Sequence, residues 1–172
     1  MWIMYFLRPV RFLAKAFTAE STSKQMAWGF AIGLLVGLVP KGNLLAITLM
    51  TVLCMLRINL AAGMMSAFAF SWIGVLLDPL THRLGLALLT VESLRPMWVS
   101  LMDTPLMPWS GLNNTVVLGS FVAGLLLLLP ARRLSEPVFD KYAPLFTARL
   151  KRLRLVQVLW GAEWAEKLGQ AA

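Results

Sequence analysis

The chain has 172 residues, of which 59% are hydrophobic and 14% charged. Average soluble domains are about 45–50% apolar and about 25% charged, so this chain lacks the polar residues to cover a soluble surface and reads as an integral membrane protein. Sixteen Lys and Arg against eight Asp and Glu leave a net charge of +8, which in a membrane protein points to cytoplasmic loops and anionic lipid before nucleic acid.

Residues 1–22 predict an amphipathic helix on the cytoplasmic surface of the membrane. Arg8, Arg11 and Lys15 share one helical face, while Trp2, Phe6, Leu13 and Phe17 fall largely elsewhere. The charge follows the apolar run, the reverse of a cleavable export signal.

Residues 23–130 predict the transmembrane domain. Thr22 and Gln25 have capping-box spacing, which starts a helix near Ser23. Residues 26–39 and 44–56 form two apolar segments of 14 and 13 residues around Pro40-Lys41-Gly42-Asn43. At ~1.5 Å per residue each reaches roughly 20 Å, and a full crossing needs about 20 residues. Two readings follow: a re-entrant hairpin, or a pair of squat, mutually packed spans. After the polar break Arg57-Ile58-Asn59, residues 60–77 are 18 positions without a charge, a full transmembrane helix that Asp78-Pro79 ends. Residues 81–95 look amphipathic and too polar to span. Pro96, Pro105 and Pro108 with Trp98 and Trp109 make an interfacial loop. Asn113 or Asn114 caps a second full span, residues 115–129, closed by Pro130. Residues 131–172 predict basic amphipathic helices, with Arg132, Arg133, Lys141, Arg149, Lys151, Arg152 and Arg154 set among Phe146, Leu150, Leu153 and Trp160. They suit an anionic leaflet or a partner-docking role. Bases at both ends place both termini in the cytoplasm and require an even number of crossings.

Small residues recur at helical spacing. Gly29, Gly33 and Gly37 stand four apart, Gly63, Ala67 and Ser71 repeat the spacing, and Gly119 and Gly124 pair with Ala123 and Ser120. Within lipid such ladders let helix backbones approach closely. Leu34 and Leu35 lie beside the ladder and are expected to face lipid.

Lys41 interrupts an apolar frame, where charge is usually functional. With Gly42, Asn43 and the helix N-terminus that follows, and with Arg57, it is a candidate anion site for a phospholipid phosphate or a carboxylate; the alternative is a solvated loop lysine. Asp78 and His82 are the other polar candidates. Asp78 either caps a turn or neutralises Lys41 or Arg57. No nucleophile elbow, P-loop, His/Cys pair or second carboxylate at helical spacing accompanies them, so no enzyme is expected. One cysteine and one histidine leave no disulfide or His/Cys metal centre to build, and no cofactor is expected.

The stretches W-G-F-A-I-G-L-L-V-G-L-V-P-K-G-N at 28–43, L-R-I-N-L at 56–60 and D-P-L-T-H-R-L-G at 78–85 resemble an uncharacterised bacterial inner-membrane family, domain-of-unknown-function family 2062. The shared frame falls on Gly33, Gly37, Pro40, Gly42, Asn43, Arg57, Asn59, Asp78, Pro79, Thr81 and Gly85, with Asp78 where the broader family favours Asn. Lys41-Gly42-Asn43 and Asp78 with His82 are similar to a subgroup from bacteria with outer membranes. That resemblance implies an inner-membrane subunit handling phospholipid for a large, periplasm-facing envelope protein of the AsmA-like, lipid-bridge type. The alternatives are a structural anchor, its glycine ladder holding a partner's membrane helix, and a small transporter of an anionic solute or polyprenyl-phosphate lipid.

Overall fold

The first helix begins where Thr22 and Gln25 exchange hydrogen bonds: the Thr22 Oγ1 accepts from the Gln25 amide at 3.3 Å, and the Gln25 Oε1 accepts from the Thr22 amide at 3.0 Å. The structure is a computed structural model that describes residues 21–151, with side chains described to residue 142. The expected surface helix over 1–22 and most of the basic C-terminal segment lie outside the described residues. Five α-helices follow in order, α1 (Ser23–Leu38), α2 (Leu44–Met55), α3 (Leu60–Leu89), α4 (Arg95–Met102) and α5 (Thr115–Lys151), with short 3-10 turns at Glu92–Leu94 and Met107–Ser110. No strand occurs among the described residues.

Asparagine sets three of the helix starts. Asn43 Oδ1 accepts from the Ala46 amide at 2.8 Å, Asn59 Oδ1 from Ala62 at 2.7 Å, and Asn114 Oδ1 from Val116 and Val117 at 2.9 and 3.3 Å. Each satisfies amides that a helix start leaves without carbonyl partners, an effect of about 1 kcal/mol.

α1 is the central helix. Gly29 lies against Asn59, Gly33 against Gly63 and Gly37 against Ala67, so the numbers rise together and α1 runs parallel to α3. α5 is antiparallel to α1, since Leu35 meets Gly124 and Trp28 meets Arg132. α2 covers a further side through Leu53, which packs with Val36 and Ala67, and Ala46, which packs with Val39 and Val117. Residues 33–39 are therefore buried all round, as an apolar helix without a polar face requires. Leu34 and Leu35, expected to face lipid, are 5% and 4% exposed.

Two proline boundaries fall differently from expectation. α3 runs through Pro79 to Leu89, and α5 runs through Pro130 to Lys151. Asp78 thus lies within a helix and caps no turn, and residues 81–89 extend α3. A proline removes one ladder hydrogen bond, and packing against a neighbouring helix carries the chain across the gap. At Pro79 that neighbour is α5, whose Gly119 abuts the Thr81 carbonyl. The proline-rich stretch is also partly helical, because Pro96 occupies the first turn of α4, where its missing amide costs nothing.

Candidate functional site

α3 and α5 each contain a stretch long and apolar enough to cross a membrane, and only 28% of each such stretch is buried within the chain. The remainder is exposed or partly exposed, with bare apolar side chains that include Phe68, Trp72, Leu76 and Leu126 at 68–79% exposure. The charges gather beyond its two ends. Lys24, Arg57 and Arg132 share one end, because the Asn59 amide donates to the Gln25 carbonyl at 3.2 Å and the Arg132 guanidinium lies 5.1 Å from the Trp28 ring. Lys41, Asp78 and His82 share the other. Along α3 the apolar band from Leu60 to Asp78 is roughly 27 Å, close to the ~30 Å hydrocarbon core of a bilayer.

Residues 40–43 fold over the end of α1 beside Gly74 and Asp78. The Lys41 ammonium donates to the carbonyls of Val36 at 2.7 Å, Val39 at 2.7 Å and Gly37 at 3.1 Å. All three of its protons therefore cover the exposed carbonyls at the helix C-terminus, where a cation also meets the negative dipole end. Desolvation by partial burial lowers its pKa from the ordinary lysine value. Asn43 is engaged as well, since its Nδ2 donates to the Pro40 carbonyl at 2.8 Å while its Oδ1 caps α2. Gly42 takes φ +94°, with nothing within 4 Å of an added Cβ; the turn requires glycine for its conformation and not for space.

The parallel course of α1 and α3 separates the candidate anion ligands. Lys41, Gly42 and Asn43 are together, whereas Arg57 is exposed at the opposite end of the band. Asp78 is at the Lys41 end, half-buried, with no hydrogen bond to its carboxylate and no ion pair to Lys41 within 4 Å. His82 stands one turn further on, its Nδ1 2.6 Å from Thr115 Oγ1 across the α3–α5 contact.

Between the tip and α3 lies an open groove of about 220 Å³, with Leu38, Val39 and Val75 as its apolar lining and Lys41, Ser71 and Asp78 as its polar one. Ser71 donates to the Ala67 carbonyl at 2.7 Å, which leaves Asp78 as the polar side chain of the groove without a protein partner. The helical spacing of Ser71, Val75 and Asp78 was readable; their meeting with the tip depends on the parallel α1–α3 pairing, which sequence spacing does not encode.

The glycines named for packing are used inside the chain. A Cβ at Gly29, Gly33 or Gly37 would collide with the carbonyls of Asn59, Gly63 and Ala67, one at Gly63 with Leu53, and one at Gly124 with Leu35. Gly85 packs in the same way, against the Thr115 carbonyl, at a position outside the small-residue ladders that the sequence displays. At the other end of the band the Arg132–Glu136 ion pair at 3.0 Å is half-buried beside Trp28, and Arg132 Nε is buried without a partner. Among the described residues no three His, Cys, Asp or Glu side chains gather to hold a metal.

No protein-family profile and no solved structure matches the chain. It is similar to a protein of Treponema pallidum (strain Nichols) described as uncharacterized, with 26% identity over 136 residues covering 79% of this chain and 84% of that protein.

Proposed function

We propose that this chain is a multi-pass protein of the bacterial inner membrane that handles phospholipid without catalysing a reaction, as the membrane subunit of an envelope lipid-transport system with a large periplasm-facing, AsmA-like partner. The observation that carries the lipid reading is the groove at the Lys41 end of the apolar band. It is open, its lining combines apolar Leu38, Val39 and Val75 with charged Lys41 and Asp78, and its level at one end of the apolar band is that of the head groups in a bilayer of ordinary thickness. The bare apolar faces of α3 and α5 support membrane insertion, because the core helix of a soluble protein would be covered. The tip lies level with Asp78, at the boundary of the band, which favours squat spans over a re-entrant loop.

The anchor reading draws less support. The glycine ladder that would hold a partner's helix is filled by α3 of the same chain. A partner helix would have to use the outer faces of α3 or α5 instead.

Val75→Trp tests the lipid reading, since Val75 is 65% exposed and lines the groove without joining the helix seams. The expected result is normal insertion with less phospholipid retained by the purified protein, read by native mass spectrometry. Wild-type protein that retains no phospholipid through mild detergent would sink the reading.

A further inference from the structure

We propose that the groove selects a zwitterionic aminophospholipid, with the primary ammonium of the head group donating to the Asp78 carboxylate. This inference rests on the phospholipid reading above and names the lipid. The sequence suggests an anion site at the tip, and the geometry reverses the emphasis. An anion needs free donors, and the three protons of Lys41 already point at the carbonyls of Val36, Gly37 and Val39. Asn43 and Ser71 are likewise bonded to backbone. Among the side chains of the groove, the one left unengaged is an acceptor: the half-buried Asp78 carboxylate, with no donor and no ion-pair partner among the described residues.

A carboxylate at the edge of hydrocarbon is costly without a partner, and a primary ammonium supplies both the charge and the N–H groups it needs. Lys41 remains a positive charge on the same rim, so a phosphate beside it is favoured electrostatically without a direct hydrogen bond. One cation and one anion in the lining of the same groove complement a head group carrying both charges; a purely anionic head group would bring its negative charge towards Asp78. The volume of about 220 Å³ is large enough for a head group. The acyl chains have a continuous apolar path down α3, because Val75, Trp72 and Phe68 recur on one helical face and are 65–69% exposed.

The full chain, reconstituted in nanodiscs with equal parts phosphatidylethanolamine, phosphatidylcholine and phosphatidylglycerol, gives the test. The lipid that stays bound on ejection is quantified by native mass spectrometry. Phosphatidylcholine is the informative competitor: it is equally zwitterionic, but its methylated nitrogen has no N–H to donate. The wild type should retain phosphatidylethanolamine over phosphatidylcholine by about threefold to tenfold, the range of one ordinary net hydrogen bond, as suits a charged pair partly screened by water. Asp78→Asn should bring the ratio close to one with lipid still bound, and Asp78→Lys should shift retention to phosphatidylglycerol. The wild-type ratio needs no variant to fold. If the wild type retains both zwitterionic lipids equally, the ammonium assignment is wrong while phospholipid handling stands. If it retains phosphatidylglycerol preferentially, the groove is an anion site after all. If it retains no lipid, the phospholipid reading falls as well.

Discussion

Gly85 of α3 and Gly119 of α5 stand face to face, each in the space where the other helix would need a Cβ. A methyl at Gly85 would overlap the Thr115 carbonyl, and one at Gly119 would overlap the Thr81 carbonyl. The two long helices therefore touch backbone to backbone at the head of α5, one turn from the His82–Thr115 contact. Lipid provides no hydrophobic drive between helices, so close approach of this kind supplies the association energy.

Gly85→Ala and Gly119→Ala should each destabilise the protein by about 1–3 kcal/mol or prevent assembly, because a backbone carbonyl cannot move aside as a side chain can. Gly42→Ala is the contrast, with open space around it and only the positive φ to strain, about 1–2 kcal/mol. Thermal unfolding of the purified protein in detergent checks the order. A Gly42 variant weaker than both others would show that the α3–α5 contact is loose.

The α1–α3 seam predicts a similar contrast with a revised control. Gly33→Leu and Gly37→Leu should abolish accumulation in membranes, since their added side chains meet the Gly63 and Ala67 carbonyls. Leu34 and Leu35 are buried and should cost about 2–5 kcal/mol when cut to alanine. Leu126→Ala, at 68% exposure, should be tolerated. Protein levels in membrane fractions decide the point, and equal tolerance of Gly37→Leu and Leu126→Ala would refute the seam.

The caps at Thr22 and Asn114 are legible in the sequence because each motif is local, and so is the break at residues 40–43. Asn43 and Asn59 read only as parts of polar breaks, and their capping bonds to Ala46 and Ala62 emerge from the structure. The prolines mislead for a physical reason: Pro79 and Pro130 break isolated helices, but packed neighbours let α3 and α5 continue. The facing of Leu34 and Leu35 was illegible because α1 is apolar on every side, leaving no periodicity to read. Lys41 stands out in the sequence as a charge in an apolar frame, but its chemistry depends on the carbonyls it meets, four and five residues back and two residues back, across a turn whose shape Gly42 sets.

Both chain ends should lie in the cytoplasm. Lys24, Arg57, Arg132 and Arg133 cluster at the Ser23 end of the band, and the parallel α1–α3 and antiparallel α5 pairings return the chain to that end. Reporters active only in the cytoplasm or only in the periplasm, fused at each terminus, read this directly. A periplasmic signal at one terminus alone is incompatible with an even number of crossings, and one at both termini would reverse the orientation that the basic residues favour.

The Arg132–Glu136–Trp28 cluster predicts an asymmetry. Glu136→Gln should destabilise by about 1–3 kcal/mol, because it leaves a half-buried guanidinium whose Nε already lacks a partner. Combining Arg132→Met with Glu136→Gln should recover most of that loss, since the double change removes both charges and keeps the packing on Trp28. A thermal-shift comparison in which the double variant proved worse than Glu136→Gln would mean that the cation–π contact, at 5.1 Å, dominates the cluster.

Lys41 supports the sharpest distinction, between a helix cap and a lipid ligand. As a cap it stabilises α1 whether or not lipid is present. Lys41→Ala should then lower stability by about 1–2 kcal/mol in delipidated detergent, through lost charge-assisted hydrogen bonds to three carbonyls. Lys41→Glu should be worse, since it places a negative charge against the negative end of the α1 dipole. Lys41→Arg should restore part of the loss, limited by a planar fork that fits three converging carbonyls less well than an ammonium does. Asp78→Asn should add to Lys41→Ala without coupling, because the two side chains make no ion pair. If Lys41→Ala were as stable as the wild type without lipid and weaker only with lipid bound, the ammonium would be a head-group ligand, and the capping hydrogen bonds would contribute nothing measurable.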